Sequence, residues 1–138
     1  MKFLLYAGFA GALLAGPAAA EKPDDTGYSA EDAKSGARLR AEAGVAVATL
    51  FHPCGEPDGL TAVKERYVAL RDRHLSHRQK MNFIIAKADY DYQMSLIDIN
   101  CPVLTDDERL EMDELNAAVA NAAMDRIEIA IANMARTD

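Results

Sequence analysis

The chain has no tryptophan, aromatic residues make up 7% of it, and cysteine occurs twice in 138 residues. Basic charge is in deficit, with 15 Lys and Arg against 22 Asp and Glu and a formal net charge of −7. Phosphate neutralisation supplies most of the affinity of a nucleic-acid binder, so an acidic total argues against that class. The eight glycines never fall into G-x-G-x-x-G or G-x-x-x-x-G-K, so no cofactor box with a phosphate-cradling glycine loop is present. No cofactor is expected. The five asparagines beyond the first residues, Asn82, Asn100, Asn116, Asn121 and Asn133, stand in no N-x-S/T sequon, which favours a bacterial envelope over a eukaryotic secretory route.

A long apolar run occurs once, at the start. Lys2 precedes a stretch from Phe3 to Ala15, then Pro17 and Ala18, Ala19 and Ala20. That is the three-part plan of a secretory signal over residues 1–20, with cleavage before Glu21. Losing it leaves no integral membrane span and moves the net charge to −8. Residues 21–28, EKPDDTGY, read as a flexible leader and 29–138 as a single helical domain. An exported chain meets an oxidising compartment, so Cys54 and Cys101, which lack C-x-x-C spacing, are expected to form a disulfide.

Beyond the leader the chain reads as helix. Ser29 with Asp32 opens a first helix to about Phe51, and Ala37, Ala41, Gly44 and Ala48 form a small-residue stripe for close packing. The loop from His52 to Gly59, HPCGEPDG, ends on Asp58, a candidate cap for the next helix. From Leu60 the positions Val63, Tyr67, Leu70, His74, His77, Met81, Ile84, Ala88, Tyr92, Leu96 and Ile99 recur at intervals of 3 and 4, predicting helix with one buried seam. Asn100-Cys101-Pro102 stops it, and Thr105 with Glu108 makes a capping box for a last helix to about Met134.

Helix length and the cysteines conflict unless the middle segment breaks. A single rod from Leu60 to Ile99 would be roughly 60 Å long, with the cysteines at its opposite ends, whereas a disulfide needs Cα atoms within about 7 Å. A break near Leu75, where Ser76 and Gln79 offer an S-x-x-Q box, gives an all-α, up-down four-helix bundle whose first and third loops share an end. The expected helices are 29–51, 59–74, 77–99 and 105–134. The alternative is three helices with one long central helix, as an antiparallel dimer bonded between chains, so monomer and homodimer both stay open.

Functional candidates are few. His74 and His77, with Met81 beyond, would share a helix face and could hold copper or zinc, but Arg71, Arg73, Arg78 and Lys80 surround them and repel a cation. Charge is also segregated: Leu60 to Ala88 carries an excess of five positive charges and Asp89 to Asp138 an excess of nine negative ones. Basic and acidic helices could face each other in the bundle. Alternatively the cluster Arg71, Arg73, His74, His77, Arg78 and Lys80 could bind a protein or an anionic envelope component. No carboxylate pair, nucleophile or calcium loop assembles, and a non-enzymatic exported protein binding another macromolecule is the expected function, with periplasmic metal binding through His74, His77 and Met81 as the alternative.

Overall fold

The computed structural model describes residues 29–56 and 58–134; the expected signal and leader lie outside them. Four helices succeed one another: α1 (Ala30–Leu50), α2 (Thr61–Asp72), α3 (His77–Ser95) and α4 (Asp106–Asn133). Among the described residues there is no strand. The Ser29 hydroxyl accepts the Asp32 N–H at 3.1 Å to open α1. Full capping boxes start α3, from Ser76 and Gln79, and α4, from Thr105 and Glu108. At the start of α2, Asp58 is not the cap: Leu60 holds that position in the left-handed conformation, φ 62° and ψ 29°, without a side-chain bond. Thr61 instead donates its hydroxyl to the Asp58 carbonyl at 2.6 Å. A left-handed backbone costs a branched residue about 1 kcal/mol or more.

The middle segment does break. Leu75 is buried at 2% exposure and anchors the connection from Arg73 to Ser76 on the core, so no Gly or Pro is needed to turn the chain. Gln79, fully buried, ties three elements together. Its Oε1 accepts the Ser76 N–H at 2.9 Å, its own N–H donates to the Ser76 hydroxyl at 3.2 Å, and its Nε2 donates to the Ile131 carbonyl at 3.2 Å. That last bond ties α3 to a carbonyl in the final turn of α4, which also accepts the Met134 N–H of the cap at 3.2 Å. The helices run up, down, up and down. Cys54 and Cys101 therefore meet within one chain, Cα to Cα 5.3 Å, and the interchain alternative is not the bond found here.

The core sits on α1, which packs extensively against both α4 and α3, while α2 is more peripheral. Leu39, Ala43, Ala46, Val47 and Leu50 of α1 meet Phe83 and Ala86 of α3 and Ala120, Met124, Ile127 and Ile131 of α4. Of the two glycines within α1, Gly36 is the one held close to other helices, while Gly44 of the stripe read from sequence is not. A Cβ on Gly36 would sit 3.3 Å from Asn82 Nδ2 and 3.6 Å from Met134 Cε, whereas one on Gly44 would meet nothing within 4 Å.

Two further expectations need correction. α3 ends at Ser95, four residues short of the expected Ile99, and an irregular segment leads to Thr105. The single seam also fails beyond Leu70. Because α3 starts afresh at Ser76, its phase is set by Gln79, and its buried face runs through Gln79, Asn82, Phe83 and Ala86. Met81, Ile84, Tyr92 and Leu96, read as seam, are exposed at 36%, 58%, 62% and 62%.

Candidate functional site

The turn between α2 and α3 gathers the basic residues at one end of the bundle. Arg71 lies in the last turn of α2 and holds Asp72 through Nε at 2.8 Å and Nη2 at 3.2 Å. Arg73 comes next in extended conformation, and Arg73 and His74 are exposed. His77 is the first residue of α3 and is exposed, Arg78 is half-buried, and Lys80 is exposed. The break puts His74 outside any helix, so His74 and His77 do not share a helix face and the premise of the metal reading falls. Among the described residues no group of three His, Cys, Asp or Glu side chains is placed to hold a metal ion.

Between α2 and α3, Arg71 and Lys80 of this cluster border a groove of about 620 Å³ that sequence reasoning missed, whereas Arg73, His74, His77 and Arg78 do not line it. Its floor is apolar and largely aromatic, formed by Val47, Phe51, Tyr67, Phe83 and Ile84. Its rim carries Arg71, Lys80 and Lys87 against the single carboxylate Asp72. The rings pack edge to face, Phe51 to Tyr67 with centroids 6.0 Å apart and Tyr67 to Phe83 at 6.1 Å, the geometry that the ring quadrupoles favour. Lys64 Nζ stands 6.0 Å above the Phe51 ring. Tyr90 braces the floor by donating its hydroxyl to the Phe51 carbonyl at 3.2 Å. The available signal was the aromatic spacing: in a chain so poor in rings, Phe51, Tyr67 and Phe83 fall at the end of α1, in α2 and in α3.

Burial pushes the Tyr67 phenol up to about 12, with Arg71 working weakly the other way. Tyr90 also rises to about 12, through burial and then the Asp91 charge. Both stay neutral, so the sign of the groove is set by its cations. The hydrogen bond from Arg71 holds the Asp72 carboxyl below its usual range and raises the guanidinium in return. Lys87 closes on Asp91 at 2.6 Å, while Lys80 and Arg73 make no ion pair among the described residues. Exposed pairs of this kind contribute little each, so Arg71 and Lys87 can exchange Asp72 and Asp91 for an incoming carboxylate at small cost.

Only part of the segregated charge is spent inside the bundle. Arg66 of α2 reaches α4, donating to Asn121 Oδ1 at 2.9 Å and Asp125 Oδ1 at 2.7 Å, with Glu128 at 3.6 Å. Arg126 of α4 pairs with Glu42 of α1, and Arg109 with Glu56 at 3.1 Å. The cations of the α2–α3 turn lie elsewhere on the surface.

At the disulfide end a second cavity, about 510 Å³, opens beneath Cys54 between the two long connections. Comparison with family models, with curated proteins and with solved structures finds no match to this chain.

Proposed function

We propose that the protein is a non-enzymatic, exported envelope protein whose α2–α3 groove receives an acidic amphipathic segment of a partner protein. The observation that carries this reading is the conjunction of an aromatic floor with Arg71, Lys80 and Lys87 along its rim. A helix laid in such a groove buries its apolar face on Phe51 and Ile84, the exposed apolar residues of its lining, and offers carboxylates to the lysines, the usual helix-in-groove mode. The recessed floor favours a narrow protein segment over a flat anionic bilayer, which the rim would hold away from the rings. Export is supported by the apolar start of the chain, Lys2 to Ala20, and by a disulfide of the kind that persists in oxidising compartments. No helix among the described residues is long and apolar enough to cross a membrane.

The test is a photoreactive amino acid at Ile84, which is 58% exposed at the groove, activated in intact envelopes and followed by mass spectrometry. The expected product is an adduct to a protein segment rich in Asp and Glu that disappears in Lys80→Glu, Lys87→Glu. Adducts to lipid alone, or adducts indifferent to that double substitution, contradict the proposal.

A further inference from the structure

We infer that the cavity at the disulfide end is a binding site for the aliphatic chain of an uncharged, single-chain amphiphile, separate from the α2–α3 groove. Its volume of about 510 Å³ falls within the range of small-molecule sites. At this end Leu50 closes the buried core with Leu60 packed against it, and Leu50, Leu60, Met94, Ile97, Leu104 and Met112 supply the apolar lining of the cavity. Beyond Leu50 none of these is buried, and Ile97 is 42% exposed. Methionines on two walls suit a ligand of flexible shape, because the thioether side chain has three rotatable bonds and a polarizable sulfur.

Two further observations single this cavity out. The connection from Leu96 to Thr105, LIDINCPVLT, holds five aliphatic residues in ten, and Leu96, Ile97, Ile99 and Val103 are 40% to 100% exposed. Surface connections are ordinarily polar. Of its aliphatic residues Ile97, Ile99 and Leu104 line the cavity and form an apolar lip, which the Cys54–Cys101 bond ties to the first connection. Across from it, Leu60 lines the cavity from a left-handed backbone, the one such non-glycine residue among those described. Residues held in such conformations concentrate at binding sites.

Charge selects the ligand's head. Lys64 and Arg109 on the lining meet three carboxylates, Glu56, Asp98 and Asp113, and Arg109 is already paired with Glu56 at 3.1 Å. The remaining field is unfavourable to an anionic headgroup, so a neutral chain such as a monoacylglycerol fits and a fatty-acid carboxylate does not.

Displacement of a neutral naphthylamine dye by monododecanoyl glycerol measures the binding in the intact, oxidised chain. The expected result is saturable binding at one equivalent, with dodecanoate at neutral pH at least tenfold weaker. Ile97→Asp on the exposed lip sets a carboxylate against the ligand's aliphatic chain and should weaken the neutral ligand by more than tenfold. Ile84→Asp in the α2–α3 groove should leave it unchanged, and thermal melts confirm that both variants fold. Absence of saturable binding, equal affinity in Ile97→Asp, tighter binding of dodecanoate, or loss in Ile84→Asp would each overturn the inference.

Discussion

Gln79 carries more of the fold than its polarity suggests. Removing its amide in Gln79→Met takes the acceptor from the buried Ser76 N–H, while the Ile131 carbonyl keeps the Met134 N–H as a partner. One unsatisfied buried group costs about 1–3 kcal/mol, so urea denaturation should show a loss in that range. Ser76→Ala removes one hydroxyl cap and should cost about 1 kcal/mol. The S-x-x-Q pattern was legible because capping is local. The bond to Ile131 was not, since its partner lies 52 residues away and is a main-chain group with no sequence signature. His52 makes a second prediction. Burial lowers its pKa from 6.5, and its Nδ1 accepts the Cys54 N–H at 3.0 Å, a bond that only the neutral ring can make. With the folded value below the unfolded one, the stabilising contribution is present above about 6.5 and is lost as pH falls through the folded value. Chemical denaturation should therefore show stability declining on acidification from neutrality, with His52→Gln flattening the decline. An unchanged profile in that variant would rule out His52 as the group responsible.

At the scale of the element, the four helices were legible and the starts of α1, α3 and α4 were placed to the residue, because Ser29, Ser76 and Thr105 mark starts that short-range hydrogen bonds enforce, whereas the start of α2 has no side-chain cap to mark it. The phase of α3 was not. A hydropathy pattern assigns Gln79 and Asn82 to solvent and Met81 and Ile84 to the core. The structure reverses both, since the Gln79 amide is satisfied as a cap and Asn82 Nδ2 donates to the Arg78 carbonyl at 3.0 Å. Adjacent substitutions separate the two phases. Phe83→Ala should cost about 3–5 kcal/mol as a buried ring, whereas Ile84→Ala should stay within about 0.5 kcal/mol. Reversed magnitudes would restore the seam read from sequence. The same shift explains why the groove went unseen: its basic rim was readable as a cluster from Arg71 to Lys80, but its floor combines α1, α2 and α3 at a register only the folded chain supplies.

Across the whole molecule, the disulfide and the charge distribution act on different levels. The bond spans 47 residues and joins the first and third connections, and closing a loop of that length in the unfolded chain is worth about 4 kcal/mol on the chain-entropy model. Reduction, or Cys54→Ser with Cys101→Ser, should lower the urea midpoint accordingly, and non-reducing electrophoresis should show monomer mass with no thiol-sensitive dimer. The cysteine positions, set against helix length, were what made the up-down order legible from the sequence alone. Charge segregation supports two ends at once: Arg66, with Asp125 and Glu128, draws α2 toward α4, and Arg71 and Lys80 beside the α2–α3 turn remain outward around an aromatic floor. Whether that floor is a binding site is decided most directly by the affinity of the segment captured at Ile84, made as a synthetic peptide, for the wild-type chain and for Lys80→Glu, Lys87→Glu, from low salt to about 1 M, where the Debye length is about 3 Å. The groove predicts at least tenfold weakening both by charge reversal at low salt and by high salt in the wild type. Affinity that ignores both would contradict it.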